Sequence, residues 1–163
     1  MSTFDELIGD VLRREGGYVN HKFDRGGATN YGITQRVYSD WSGTAGRDIR
    51  NMEKTEAVKI YFDLYWKPAK CEQLPAAIRG IHFDSAVNHG VGRAAKLLQT
   101  AAAVDVDGVI GKNTLAAVHA THPELLKFRY VAERYKFYGD IIQRDRSQLA
   151  FMAGWMARME HFS

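Results

Sequence analysis

Three residues near the start of the sequence have the types and spacing needed to hydrolyse a glycosidic bond. Glu15 is followed by two glycines, Asp24 lies in a glycine-rich segment, and Thr29 comes shortly after it. A protonated carboxyl group can donate a proton to a leaving-group oxygen, and an ionised carboxylate can orient a water or stabilise positive charge on a sugar ring. This pattern predicts Glu15 as a general acid, Asp24 as the second carboxylate and Thr29 as a residue that holds the water.

An amphipathic helix is expected to position Glu15. Thr3 and Glu6 are spaced as a capping box, and Gly16-Gly17 is a helix stop. Between them, apolar side chains recur at the helical period: Phe4, Leu7, Ile8, Val11 and Leu12. Glu15 continues this buried face, where desolvation and the negative end of the helix dipole are both expected to raise its pKa. The alternative interpretation is a surface glutamate beside a helix C-cap, with Asp24 as a turn former.

The remaining pattern predicts a mainly α protein with a small β-hairpin after the first helix. Residues 18–34 are rich in Gly, Asn and Thr with alternating aromatics, which is typical of a hairpin or an irregular turn segment. Helical periodicity predicts further helices near 54–66, from Pro75 to Gly90, and near 92–103, 114–120, 123–143 and 147–161.

Composition narrows the classes of function. The single cysteine excludes an internal disulfide framework, and 45% hydrophobic residues in 163 can form a real core. The net charge of +3 is too small to favour a nucleic-acid partner, and no groove-reading motif is present. We find no hydrophobic signal segment and no long apolar span, which predicts no stable membrane insertion.

Over essentially its whole length the chain resembles the N-acetylmuramidases of glycoside hydrolase family 108, mostly bacteriophage and prophage endolysins. The resemblance is carried by Glu15-Gly16-Gly17-Tyr18-Val19-Asn20, Asp24, Gly26-Gly27 and residues 29–34, Thr-Asn-Tyr-Gly-Ile-Thr. It continues through Glu56-Ala57, Ile60-Tyr61, Tyr65-Trp66, Leu74-Pro75 and residues 83–90.

This resemblance implies a lysozyme-like fold and hydrolysis of the β-1,4 bond between N-acetylmuramic acid and N-acetylglucosamine in peptidoglycan, with Glu15 as the catalytic glutamate. The spacing of Glu15, Asp24 and Thr29 is similar to the Glu–Asp–Thr triad of phage lysozymes from a neighbouring family, where the last gap is one residue longer. Inversion and retention of configuration both stay open, because the carboxyl separation decides between them.

Residues 91–163 resemble a helical peptidoglycan-binding module. The expected organisation is a catalytic lobe at 1–90 and this second lobe at 91–163, packed into one compact body. Asp107-Gly108 fits a plain turn before a helix better than a ligand site.

Six further residues are candidates for substrate contact. Tyr18 and Tyr31 have rings that can stack on sugar faces, and Asn30 lies between them in the family motif. Asp84, Asn88 and His89 come together near the end of a predicted helix, where the alternative is a helix-end hydrogen-bond network.

No cofactor is expected. The histidines lack the spacing of a metal site, and Cys71 fits a packed thiol better than a nucleophile. The expected partner is the peptidoglycan glycan strand, and the protein is expected to act as a monomer. It should stay in the cytoplasm of the host bacterium until a holin or a secretion machine releases it to the periplasm. A lytic transglycosylase and a non-catalytic wall-binding protein remain the alternatives.

Overall fold

The computed structural model describes residues 3–20, 27–43 and 46–162. The chain divides into two compact units, the first spanning Thr3–Lys67 and the second beginning at Pro68. The boundary between these units lies between Lys67 and Pro68, whereas the expected boundary between the two lobes lies after residue 90. The expected division into a catalytic and a peptidoglycan-binding lobe stays a prediction. The expectation of a mainly helical protein with a small hairpin after the first helix is confirmed.

The first unit opens with helix α1, Phe4–Glu15. The predicted capping box is present: the Glu6 amide donates to Thr3 Oγ1 at 3.4 Å, and the Thr3 amide donates to Glu6 Oε2 at 3.0 Å. Ile8, Val11 and Leu12 are buried, so the apolar stripe faces the core. The helix ends at Gly16, whose φ of 73° is the left-handed value that favours glycine at a C-terminus.

The predicted hairpin consists of two short antiparallel strands, β1 (Thr29–Asn30) and β2 (Ile33–Thr34). Thr29 pairs with Thr34, and Asn30 pairs with Ile33. On its other side Thr29 forms a bridge with Val19, whose amide donates to the Thr29 carbonyl at 2.8 Å and whose carbonyl accepts at 2.9 Å. The hairpin is therefore tied to the segment that leaves α1.

Four helical elements follow the hairpin within the described residues of this unit. Helix α2, Gln35–Ser42, was not predicted, and a 3-10 turn follows at Ile49–Asn51. Helix α3, Lys54–Tyr61, continues into a π-helical turn at Phe62–Trp66. The helix predicted over 54–66 thus exists, but its hydrogen bonding changes at Phe62.

The second unit contains five helices within the described residues: α4 (Ala76–His89), α5 (Val91–Ala101), α6 (Lys112–Ala120), α7 (Pro123–Arg144) and α8 (Met152–Glu160). Helix α4 is the core element, because residues 81–86 are all buried. The last predicted helix, 147–161, begins as a 3-10 segment at Arg146–Phe151 and becomes α-helical only at Met152.

Cys71 lies in a 3-10 turn, Cys71–Gln73, and is fully buried. Burial raises the pKa of its thiol far above the usual range. Among the described helices, none combines the length and the apolar character that crossing a membrane requires.

Candidate active site

Glu15 is the last residue of α1, and its half-buried side chain lies against the hairpin turn. A methyl group at position 32 would lie 2.7 Å from Glu15 Oε2 and 3.0 Å from both its Cβ and its Cγ. Only a hydrogen fits between the turn and the carboxyl group. The site is therefore built from the end of one helix and the backbone of one turn.

The turn consists of Tyr31 and Gly32, with φ values of 49° and 74°. Positive φ at both central residues defines a type I′ turn, whose twist matches that of the flanking strands. Tyr61, buried at the end of α3, donates its hydroxyl hydrogen to the Tyr31 carbonyl at 2.9 Å. This hydrogen bond joins the turn to the helix behind it.

Tyr65 lies next to Tyr61 and close enough to Glu15 to be affected by its charge. Its ring lies 5.5 Å from that of Tyr61, centroid to centroid. Burial, and then the negative charge of Glu15, raise the pKa of Tyr65. The phenol of Tyr65 thus lies within electrostatic range of the Glu15 carboxyl group, on a π-helical turn of the kind often found at functional sites.

Sequence reasoning did not single out Gly32, Tyr61 or Tyr65 as parts of the site. A signal for Gly32 was present, because a two-residue hairpin turn requires positive φ and glycine adopts it without a steric cost. No local signal could have placed it against Glu15, since that contact joins separate elements.

The other candidates near the hairpin have different environments. Asp24 lies outside the described residues. Thr29 is half-buried in β1 between its two pairing partners. Asn30 is buried, and its Nδ2 donates to the Ile49 carbonyl at 3.1 Å, which ties the hairpin to the 3-10 turn. Tyr18 is 42% exposed and Tyr31 is half-buried. The predicted roles of these residues in catalysis and sugar binding stay predictions.

In the second unit, Asp84 lies at the centre of a buried ion-pair network. Arg134 Nη1 donates to Asp84 Oδ2 at 2.8 Å, and Arg158 Nη1 donates to Asp84 Oδ1 at 3.5 Å. Arg134 Nη2 also donates to the Tyr138 hydroxyl at 2.9 Å. Arg134 is fully buried and Asp84 is 4% exposed, so this network connects α4, α7 and α8 inside the unit.

Asn88 and His89 share the end of α4 with Asp84. Asn88 Nδ2 donates to the Asp84 carbonyl at 2.7 Å, one turn back along the helix. The His89 ring packs edge-on against Phe137 and Tyr138, with centroids 4.9 Å and 5.3 Å away. Burial, followed by the charges of nearby arginines, lowers the pKa of His89 to about 4, which keeps it neutral at neutral pH. The structure brings these three residues together as expected, while their contact with substrate stays a prediction.

Asp107 has the turn-forming role that its sequence context favours. Its Oδ1 accepts from Gln99 Nε2 at 2.6 Å and from the Val109 amide at 2.8 Å. The Gln99 Oε1 accepts in turn from the Gly108 amide at 2.8 Å. A cavity of about 590 Å³ opens beside this turn. Within residues 3–20, 27–43 and 46–162, no group of three or more His, Cys, Asp or Glu side chains is arranged to hold a metal ion.

Comparison with known proteins matches two families to successive parts of the chain. The model described as "Glycosyl hydrolase 108" matches residues 8–90, and the one described as "Predicted Peptidoglycan domain" matches residues 93–160. A solved structure, that of SagA from Brucella abortus, is 34% identical with a TM-score of 0.84. That match covers 98% of this chain and 90% of the SagA chain. Among proteins with curated functions, none matched. These findings confirm the resemblance and the lysozyme-like fold class expected from the sequence.

Proposed function

The chain belongs to the glycosyl hydrolase 108 family, and we propose that it cleaves the β-1,4 bond between N-acetylmuramic acid and N-acetylglucosamine, with Glu15 as the general acid. The chain is a glycoside hydrolase of the bacterial cell wall, and residues 93–160 match a peptidoglycan-binding family.

The observation that supports Glu15 as the acid is its fixed, half-buried place at the end of α1. A general acid must lie within hydrogen-bond reach of the atom that it protonates, and the turn beside Glu15 leaves its carboxyl group little room to move. Gly16 and Gly17 follow directly, and among the described residues no atom lies within 4 Å of the place that a Cβ would take at either glycine. A polymeric substrate can therefore approach the backbone closely next to the acid.

In the proposed reaction Glu15 transfers its proton to the glycosidic oxygen as the bond from that oxygen to the sugar C1 breaks. The leaving sugar departs as an alcohol, and positive charge develops on C1 and the ring oxygen. Water then adds to C1 and loses a proton. If the enzyme inverts, Asp24 receives the proton of the water that attacks C1 directly. If it retains configuration, Asp24 first forms a bond to C1, and the water that breaks this bond gives its proton to Glu15. Thr29 is proposed to hold the water.

The test is the isosteric substitution Glu15→Gln, compared with Glu72→Gln on the exposed surface of the second unit. Loss of a general acid costs about 10²- to 10⁴-fold in rate. We expect a loss of that size in turbidity clearance of purified peptidoglycan for Glu15→Gln, with an unchanged circular dichroism spectrum. Glu72→Gln should retain the wild-type rate. Full clearance by Glu15→Gln would refute the assignment.

Product analysis separates this reaction from its alternatives. Mass spectrometry of digested peptidoglycan should find muramic acid with reducing ends, which shows hydrolysis after this sugar. Anhydro-muramic ends would instead identify a lytic transglycosylase, and reducing glucosamine ends would place the cut at the other bond. Binding to peptidoglycan without any product would identify a wall-binding protein. The same analysis on Asp24→Asn tests the second carboxylate.

The biological role proposed from the family resemblance is that of an endolysin which reaches the wall through a holin or a secretion machine. The expected result is that cells lyse when the enzyme is fused to a periplasmic export signal, and survive when it is expressed without one. Glu15→Gln with the export signal is the control, and lysis by that variant would show that the effect is not enzymatic.

A further inference from the structure

We propose that the Tyr31–Gly32 turn, held by the Tyr61 hydroxyl, is the positioning element for the Glu15 carboxyl group. This inference rests on the proposed role of Glu15 as the acid. It adds two positioning residues, Gly32 and Tyr61, that touch neither the sugar nor the scissile bond in the proposed reaction.

The first support is the length of the contact between Glu15 and the turn. A Cβ at position 32 would approach Glu15 Oε2, Cβ and Cγ alike, within 2.7 to 3.0 Å. Gly32 therefore lies against three atoms of the glutamate side chain and not against its tip alone. Such a contact excludes the rotamers that would move these atoms toward the backbone of Gly32.

The second support is the way the turn itself is held. Tyr31 adopts a φ of 49°, which is unfavourable for a residue with a Cβ and needs compensation from its surroundings. The Tyr61 hydroxyl supplies a hydrogen bond of 2.9 Å to the carbonyl at the centre of this strained turn. Tyr61 is 3% exposed, so the donor of this hydrogen bond is held within the packed core.

The third support is that both ends of this chain of contacts are anchored. Tyr61 ends α3 and is packed in the core, and Tyr65 on the following turn lies in the field of the same carboxyl group. The hairpin strands are fixed on the other side by the Asn30 amide and the bridge to Val19. Glu15 thus lies against the Tyr31–Gly32 turn, whose position is set by the core of the first unit.

A misplacement of about 1 Å in a reacting group can cost about 10²-fold in rate. Gly32→Ala must displace either the turn or the Glu15 carboxyl group by several tenths of an ångström or more. We therefore expect a fall in kcat of about 10- to 100-fold on soluble glycan strands, with KM changed less than about twofold. Binding to intact peptidoglycan should not change.

Gly43→Ala is the matched control. Gly43 also has a left-handed φ, 64°, at the end of α2, but no atom of the residues that the structure describes lies within 4 Å of the place its Cβ would take. Both variants place alanine at a left-handed φ, so both melting temperatures should fall, and the fall should be larger for Gly32→Ala because its Cβ also meets Glu15. Only Gly32→Ala should lose kcat.

Tyr61→Phe is the second variant, and it keeps the proposal testable if Gly32→Ala does not fold. It removes the hydrogen bond to Tyr31 and keeps the ring, so we expect a smaller fall in kcat, about 3- to 10-fold, with KM unchanged. Tyr135→Phe, at an exposed tyrosine of the second unit, should behave as wild type.

The outcomes separate this proposal from the one on which it rests. Two results would overturn the positioning role alone if Glu15→Gln is inactive. One is a wild-type kcat in Tyr61→Phe, and the other is an equal kcat in Gly32→Ala and Gly43→Ala. If Gly32→Ala and Tyr61→Phe raised KM and left kcat unchanged, the positioning role would also be overturned, because this result would indicate altered substrate binding. Full activity of Glu15→Gln would overturn both proposals.

Discussion

Protonation of His82 should destabilise the protein in mild acid. This histidine is completely buried in α4, and burial lowers its pKa from 6.5 to about 4, against the smaller opposing effect of the Ala69 carbonyl. Because the unfolded chain takes up the proton near pH 6.5 and the folded chain only near pH 4, stability is fully present above 6.5 and falls between these values. At 1.36 kcal/mol for each pH unit, the loss is about 2 kcal/mol by pH 5 and about 3 kcal/mol by pH 4.

The hydrogen bonds of His82 identify the origin of this cost. Its Nε2 lies 3.0 Å from the Ala69 carbonyl, which can only accept, so the neutral ring carries its hydrogen on Nε2. Nδ1 then accepts from the Tyr130 hydroxyl at 3.0 Å. After protonation Nδ1 can donate to Tyr130, whose hydroxyl can turn to the Ala94 carbonyl at 3.2 Å. The cost is therefore the burial of a charge and not the loss of a hydrogen bond.

The assay is urea unfolding of the wild type, His82→Gln and the exposed control His122→Gln at pH 7 and pH 5, a range in which most carboxylates stay ionised. Removing the buried imidazole should reduce the loss of unfolding free energy between these two pH values by about 2 kcal/mol. His122→Gln should lose as much as the wild type. If His82→Gln loses as much as the wild type too, the reasoning is refuted.

Two further predictions concern buried groups of the second unit. Asp84→Asn removes the counter-charge of fully buried Arg134. Breaking a buried ion pair in this way should lower the free energy of unfolding, measured by heat or urea, by about 3 to 5 kcal/mol. A loss below about 1 kcal/mol, or one no larger than that of exposed Asp105→Asn, would contradict the role of the network. Cys71 has a buried thiol whose pKa is raised by that burial, so it should not react with Ellman's reagent in the folded protein and should react fully in guanidinium; rapid labelling of the folded enzyme would show that the turn around Cys71 opens.

The elements that could be predicted from the sequence are those specified by local signals. Helix α1 has a capping box, a regular apolar stripe and a glycine stop, and all three act within a few residues of each other. Helix α2 was missed because its cap, Thr34, is also the last residue of the hairpin, and the segment looked like part of a turn. The change to π-helical hydrogen bonding at Phe62 was not predictable from the periodicity, which fits both kinds of turn.

In the candidate site, too, the features specified by neighbouring residues were predictable, whereas the contacts between separate elements were not. Glu15 is predicted as the acid from its helix end and its glycines, which are neighbours in the sequence. Its contact with Gly32, and the hydrogen bond from Tyr61 to Tyr31 across 30 positions, depend on how separate elements pack. The pairing of Asp84 with Arg134, 50 positions apart, could not be predicted for the same reason.

The turn beside Glu15 is also selective for handedness. The two hydrogens on the Gly32 Cα are not equivalent: an L side chain would replace the one that faces Glu15, and a D side chain would replace the one on the other side of the backbone. A D residue also favours the positive φ that this position requires, by mirror symmetry with the preference of L residues for negative φ. D-alanine introduced at position 32 by chemical synthesis would therefore avoid both the strain and the contact that L-alanine suffers. Among the genetically encoded residues, glycine alone has no side chain on the L side of Cα. At position 32 it therefore adopts the positive φ and leaves room for Glu15, as a D residue would.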